Sequence, residues 1–172
     1  MCTYRVIHRL HHNHLYQAQD PDTALHGGYP RGKAYLWKKL ATDLTGLTAW
    51  KTYAYFFGAP ALNADTGEAQ RPLDDTSPRL RQLAHADRRG VITFHLIVPA
   101  IAFYAGYGVE YLVLWLLPLA TVIQAILRLR AVCEHGAVTD FSSPLTAART
   151  NLVAWPLGAL LFPHHVNYHI EH

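Results

Sequence analysis

Val91-Ile92-Thr93-Phe94-His95-Leu96-Ile97-Val98-Pro99-Ala100 opens an apolar run that continues to Leu127, with Glu110 its only formally charged residue. A helix of about 20 residues crosses the hydrocarbon core of a bilayer, so the run is long enough for two somewhat short spans. Gly106-Tyr107-Gly108-Val109-Glu110 marks the break between them. The reading is a helical hairpin, Val91–Tyr107 followed by Tyr111–Leu127. Arg79, Arg81, Arg88 and Arg89 precede the hairpin, Arg128 and Arg130 follow it, and its tip has neither Lys nor Arg. The bias of basic residues towards the cytoplasm places both ends inside and the tip outside. A hairpin buried in a soluble core fits those flanking arginines less well. Pro118 is a kink site in the second helix. His95, near the start of the first, is read as satisfied locally and is not assigned to a metal.

Both ends of the hairpin lead to histidine. Continuing the second helix past Leu127 carries the chain out of lipid to Glu134-His135, on the cytoplasmic side. Before the hairpin stands His8-Arg9-Leu10-His11-His12, with His14 just beyond, in a helix read over residues 1–18. Positions i, i+3 and i+4 share a helical face, so His8, His11 and His12 can aim three imidazoles at one place. After the hairpin stands His164-His165-Val166-Asn167-Tyr168-His169-Ile170-Glu171-His172. Read as a helix, His165, His169 and His172 also share a face. Neutral imidazole is the commonest protein ligand for Fe, Zn, Cu and Ni. HxxHH alone also fits a histidine-rich surface helix; two clusters far apart in sequence point to one shared metal centre. Nitrogen ligands alone leave iron, zinc and copper open.

Composition agrees with a protein part in lipid and part in water. Of 172 residues, 51% are hydrophobic and 16% charged, and the mean hydropathy is +0.02. Twelve histidines are far above ordinary usage. A formal charge of +3, with no basic groove interleaved by aromatics, argues against nucleic acid as a partner. Cys2 and Cys133 make no disulfide framework and are expected to be reduced thiols. No signal peptide is visible after Met1, which means little if upstream spans are missing.

The remaining segments fill in the plan. Asp20-Pro21-Asp22 and Gly27-Gly28-Tyr29-Pro30 mark loops. From Lys33 to Phe57, Leu36, Leu40, Leu44 and Leu47 recur at helical spacing among Lys33, Lys38, Lys39 and Lys51. With Trp37, Trp50, Tyr53 and Tyr55 this reads as a helix lying in the membrane interface, broken in two at Gly46. Residues 58–78 form a long polar loop. Ser142-Ser143-Pro144 reads as a turn. Leu152 to Phe162 is apolar but too short to span, and reads as a buried or re-entrant segment that returns the last histidines to the site.

In three places the sequence resembles the membrane fatty-acid desaturases. His8 to His12 with Asp20-Pro21 is similar to their second histidine box. Asn167-Tyr168-His169-Ile170-Glu171-His172 is similar to the start of the third, NYHxEHH. Arg130 to Gly136, with Glu134-His135, is similar to an intervening segment that carries one more ligand. The resemblance covers almost the whole chain. It departs from the family pattern in two places: the first box, an HxxxH, is absent, and the third stops at His172. The sequence is therefore read as a fragment beginning just before box two and ending inside box three.

The resemblance implies a non-haem centre of two iron ions that uses O2 and two external electrons to dehydrogenate a fatty acyl chain. Carried over by position, His8, His11, His12, His135, His169 and His172 are its metal ligands. The first-box histidines and the residue after His172 would complete the set, so this polypeptide alone is expected to be inactive. His165, on the ligand face but outside the HxEHH core, joins Asn167 and Glu134 as candidates for orienting the imidazoles. Glu171 is either another or solvated, and His164 and His14 are read as supporting or solvent-facing. The implied partners are a membrane lipid or other acyl substrate and an external electron donor, ferredoxin- or cytochrome b5-like, because no haem or ferredoxin cysteine motif is present. The fold expected is all-α: one domain over residues 1–172, with a cytoplasmic or interfacial part (1–90), a transmembrane hairpin (91–127) and a cytoplasmic histidine-rich part (128–172). The protein is thus an integral membrane one, its histidine-rich helical cap facing the cytoplasm. Two alternatives stay open: a lipid or carotenoid hydroxylase or ketolase of the same superfamily, and a membrane metal-binding protein without redox chemistry.

Overall fold

The computed structural model describes residues 2–15, 17, 20, 29–57, 61–62, 69–70, 77–140, 142–143 and 146–169, without the side chains of 2–3, 5, 61–62, 69–70 and 165. Pro21, Asp22, Gly27, Gly28, Pro144, Glu171, His172 and most of the 58–78 loop lie outside the described residues. Within them the chain is helical apart from one short antiparallel pairing, β1 (Ala61–Leu62) with β2 (Ala69–Gln70).

The helices are α1 (Cys2–Asn13), α2 (Lys33–Leu44), α3 (Ala49–Phe56), α4 (Pro78–Tyr104), α5 (Gly108–His135) and α6 (Leu157–Leu161). Gly46 separates α2 from α3 as its sequence suggests, at φ 75, a conformation that costs an L side chain energy.

The first long helix begins at Pro78, well before the expected Val91. Local chemistry accounts for the difference. Ser77 is extended and its side chain accepts from Leu80 N–H at 3.3 Å, while Pro78 starts the first turn, where its missing N–H costs nothing. Hydropathy located the apolar half of the helix and missed its polar half.

The turn between the long helices is also earlier than expected. It occupies Ala105 to Tyr107 around Gly106 at φ 84, and Gly108, Val109 and Glu110 are already helical. Gly108 is needed for packing: a Cβ there would fall 2.4 Å from the Phe103 ring. Next to the turn the start of α5 packs on α4, and farther along the Phe94 and Trp115 rings lie 6.0 Å apart.

α5 is continuous but irregular. Leu112–Leu116 is π-helical, directly ahead of Pro118, which has no N–H to give the preceding turn. A second departure falls at Thr121 (φ −120, ψ −83), after which Val122–His135 is regular. Among the described residues α5 is the one helix long and apolar enough to cross a membrane.

Burial is concentrated at one end of the long pair. α1 packs on α4, and Val6, Ile7 and Ala84 are buried. α2 packs on α5, joined by the buried ion pair of Asp43 with Arg128. Towards the turn, Leu96, Ile101, Tyr104, Val109 and Leu114 are exposed. The 152–162 segment is not buried as a whole: Leu152, Trp155, Leu157 and Leu160 are exposed, and Phe162 alone packs inward, its ring 6.0 Å from the Arg130 guanidinium.

At Gly46 an added Cβ would meet Ala120 O at 3.3 Å as well as the unfavourable φ. Gly46→Ala should therefore cost about 1–2 kcal/mol. In thermal unfolding followed by circular dichroism, that corresponds to a fall in Tm of roughly 3–6 °C.

Candidate metal centre

Three elements deliver imidazoles to one place. α1 carries His8, His11 and His12 on one face, as the i, i+3, i+4 spacing requires. His135 is the last residue of α5. His169 comes from the C-terminal segment. The rings form a continuous cluster: His8–His12 centroids are 4.6 Å apart, His12–His169 4.7 Å, His11–His135 4.5 Å and His135–His169 4.5 Å. His11, His135 and His169 are at most 2% exposed.

His169 does not arrive on a helix. Pro163–His165 is a single tight 3-10 turn with His164 at φ 58, and the chain from Val166 to His169 is irregular. The expected helical face of His165, His169 and His172 is thus corrected. Pro163 offers no N–H, and the segment is instead tied by Asn151 N–H donating to Asn167 O at 2.9 Å.

The outer nitrogens determine what the inner ones can do. His11 Nδ1 lies 2.6 Å from Asp20 Oδ1, and both residues are fully buried. A carboxylate only accepts, so Nδ1 carries the proton and Nε2 is the nitrogen turned inward. His135 Nδ1 faces Ala147 O at 3.4 Å, again an acceptor only. His169 Nδ1 lies 3.8 Å from Glu134 Oε2. The other oxygen, Glu134 Oε1, accepts from Arg130 Nη2 at 3.1 Å and Nε at 3.3 Å.

Inside, His11 Nε2 and His135 Nε2 are 2.8 Å apart, as are His135 Nε2 and His169 Nε2. Such distances are favourable when one ring donates an N–H to the next or when a cation lies among the lone pairs. Imidazoles whose far nitrogen donates to a carboxylate or carbonyl are the usual surroundings of a bound metal. The donor set therefore fits a metal ion. Two groups of three ligand atoms each lie within 4.8 Å of one another: His11, His135 and His169, and His8, His12 and His169. They share His169.

The expected site residues divide as follows. His8, His11, His12, His135 and His169 are brought together. His172 lies outside the described residues, as does the side chain of His165. Glu134 lies beside His169, its Oε2 3.8 Å from Nδ1. Asn167 forms no side-chain hydrogen bond with an imidazole among the described residues. His14 turns away, 3.4 Å from Gln17 Oε1, and His164 is exposed. Asp20, read from sequence as a turn residue and as part of the second-box resemblance, was given no place beside the imidazoles. Asp20 and Asp22 both follow HxxHH, and nothing local distinguishes a loop carboxylate aimed inward from one in water.

Beside His8, His11 and His135 is a cavity of about 60 Å³, with Tyr4, Phe56 and Leu127 in its wall. It has room for a few waters and not for an acyl chain. Tyr4 stacks on His8, the centroids 5.5 Å apart and the planes within 10°.

Asp20→Asn should lower metal affinity about 10- to 100-fold. Titration of the metal-free protein with Fe(II) or Co(II) measures this, and an unchanged affinity would remove Asp20 from the site.

A family profile described as fatty acid desaturase matches residues 1–172. Comparison with curated proteins and with solved structures gave no match.

Proposed function

Since the chain belongs to the fatty acid desaturase family, we propose that its histidine cluster holds two non-haem irons for the O2-dependent desaturation of a fatty acyl chain at a membrane. The observation that supports this reading is the convergence of five imidazoles, His8, His11, His12, His135 and His169, from three separate parts of the chain. The reaction converts –CH2–CH2– and O2, with two electrons and two protons from outside, into –CH=CH– and two waters. Bound here, iron supplies the oxidising power that an unactivated methylene requires.

The chain's own residues do the rest. His8, His11, His12, His135 and His169 serve as ligands, with His172 proposed as a further one. Asp20 and Ala147 O accept from the outer nitrogens of His11 and His135, and Glu134 faces that of His169, which would turn the inner nitrogens towards a bound metal. Tyr4 and Phe56 wall the His8 side and limit its access to water.

The membrane placement belongs to the same proposal. α5 crosses the bilayer, and the apolar half of α4 pairs with it as a hairpin. The histidine cluster lies on the cytoplasmic side, at the level where Arg128 and Arg130 leave the apolar run. Electrons come from a separate ferredoxin- or cytochrome b5-like donor, and the substrate is a membrane lipid or another acyl carrier.

His11→Ala and His135→Ala, made in the active enzyme, should abolish turnover and lower the bound iron. Full activity and iron in either variant would refute the ligand set. Lys38→Ala, remote from the cluster, should leave turnover within about twofold. Mass spectrometry of the lipid product separates the chemistries: a loss of two hydrogens supports desaturation, whereas a gain of one oxygen converts the reading to hydroxylation.

A further inference from the structure

The α2–α3 pair is amphipathic enough to lie flat on a membrane surface, yet its contacts with α5 place it elsewhere. We propose that α2 and α3 form a re-entrant helical pair whose Gly46 elbow dips into the acyl-chain layer beside α5. The proposal rests on reading α5 as a membrane span.

Depth is fixed by contact. Gly46 packs on the backbone of Ala120 and the methyl of Thr121. Along α5 these residues lie about two turns, roughly 12 Å, inboard of Arg128. If Arg128 and Arg130 stand near the boundary between water and lipid, the elbow sits inside the hydrocarbon. Its outer surface suits that place: Leu44, Leu47 and Trp50 are exposed, Leu47 by 76%.

The charges and polar groups of the pair are arranged accordingly. From Leu40 to Trp50 the only formal charge is Asp43. It is 4% exposed and paired with Arg128, whose Nη2 donates to Asp43 Oδ1 at 3.2 Å. Thr42 and Thr45 hydroxyls are satisfied within the pair, donating to Lys38 O at 2.9 Å and Thr42 O at 2.6 Å. Gly46 N–H donates to Asp43 O at 3.1 Å, and Ala49 N–H to Gly46 O at 3.2 Å. Lys51 follows Trp50, its ammonium 5.7 Å from the indole centroid, with a stem long enough to reach back towards water.

A second observation points the same way. α5 breaks at Thr121, where backbone carbonyls near the break need other donors. Inside lipid bulk water is not available for this, and side chains of the same or a neighbouring helix must supply the bonds. Tyr53 of α3 does so: its hydroxyl donates to Leu119 O at 2.8 Å, joined by Gln124 Nε2 at 2.9 Å. α3 thereby completes the broken span at the depth of the break.

The test is depth measurement by spin label in the full chain, reconstituted in phosphatidylcholine vesicles with Cys2 and Cys133 replaced by Ser. Labels go on Leu47→Cys and Leu44→Cys, with Val113→Cys as the reference inside α5 and Lys33→Cys as the reference in water. Collision with oxygen and with a water-soluble nickel chelate is read at each. The expected result is that labels at 47 and 44 match 113, with high oxygen and low nickel access. Labels at both sites that match 33, or that sit at headgroup depth, overturn the proposal and leave α2–α3 on the surface. Nickel access at 113 itself would overturn the span reading, and the re-entrant pair with it; that outcome is distinguishable because the failure is then at the reference site.

Discussion

Asp20 grips His11 from one side and His135 faces it from the other, and this line of contacts governs the rest. It joins a loop residue, the first helix and the end of the longest apolar helix, three parts of the chain that share no local interaction. The carboxylate fixes a proton on Nδ1 of His11, so Nε2 is the nitrogen turned to the centre. A metal bound there would offset the cost of burying converging imidazoles. Its affinity and folding would then be coupled through the same contacts.

Around that line the molecule separates into two environments. At the histidine end, Val6, Ile7, Ala84, Ala147 and Ala148 are buried, and polar groups are paired: Glu134 with Arg130, Asp43 with Arg128. At the turn end, large apolar side chains on α4 and α5 face outward. Such a distribution is unfavourable in water and natural where the surroundings are themselves apolar. The arrangement of Glu134 shows how the two ends meet: one oxygen holds an arginine at the boundary and the other faces a buried imidazole.

Much of this was legible in the sequence because it rests on periodicity and composition. The grouping of His8, His11 and His12 follows from helical spacing, the split at Gly46 from the residue's conformational freedom, and the position of His135 from extending a helix past its apolar run. What escaped had no periodic signature. The start of α4 at Pro78 depends on a serine cap. The approach of His169 depends on an irregular segment held by Asn151 and Asn167, where a helical face had been assumed. Asp20 meets His11 only because the fold turns it inward, and sequence neighbours do not record that direction. His172 and the side chain of His165 stay outside the described residues and add nothing to either side.

α4 is one continuous helix from its serine cap to the turn, with α1 against its polar half and outward-facing apolar groups on its other half. It therefore acts as a strut. Under the membrane reading, the cluster of imidazoles cannot rise, sink or tilt independently of the apolar layer. A change in bilayer thickness would be felt as mechanical load at α1, and the height at which a tethered acyl chain meets the cluster would be set by the length of a helix more than by any residue touching the chain.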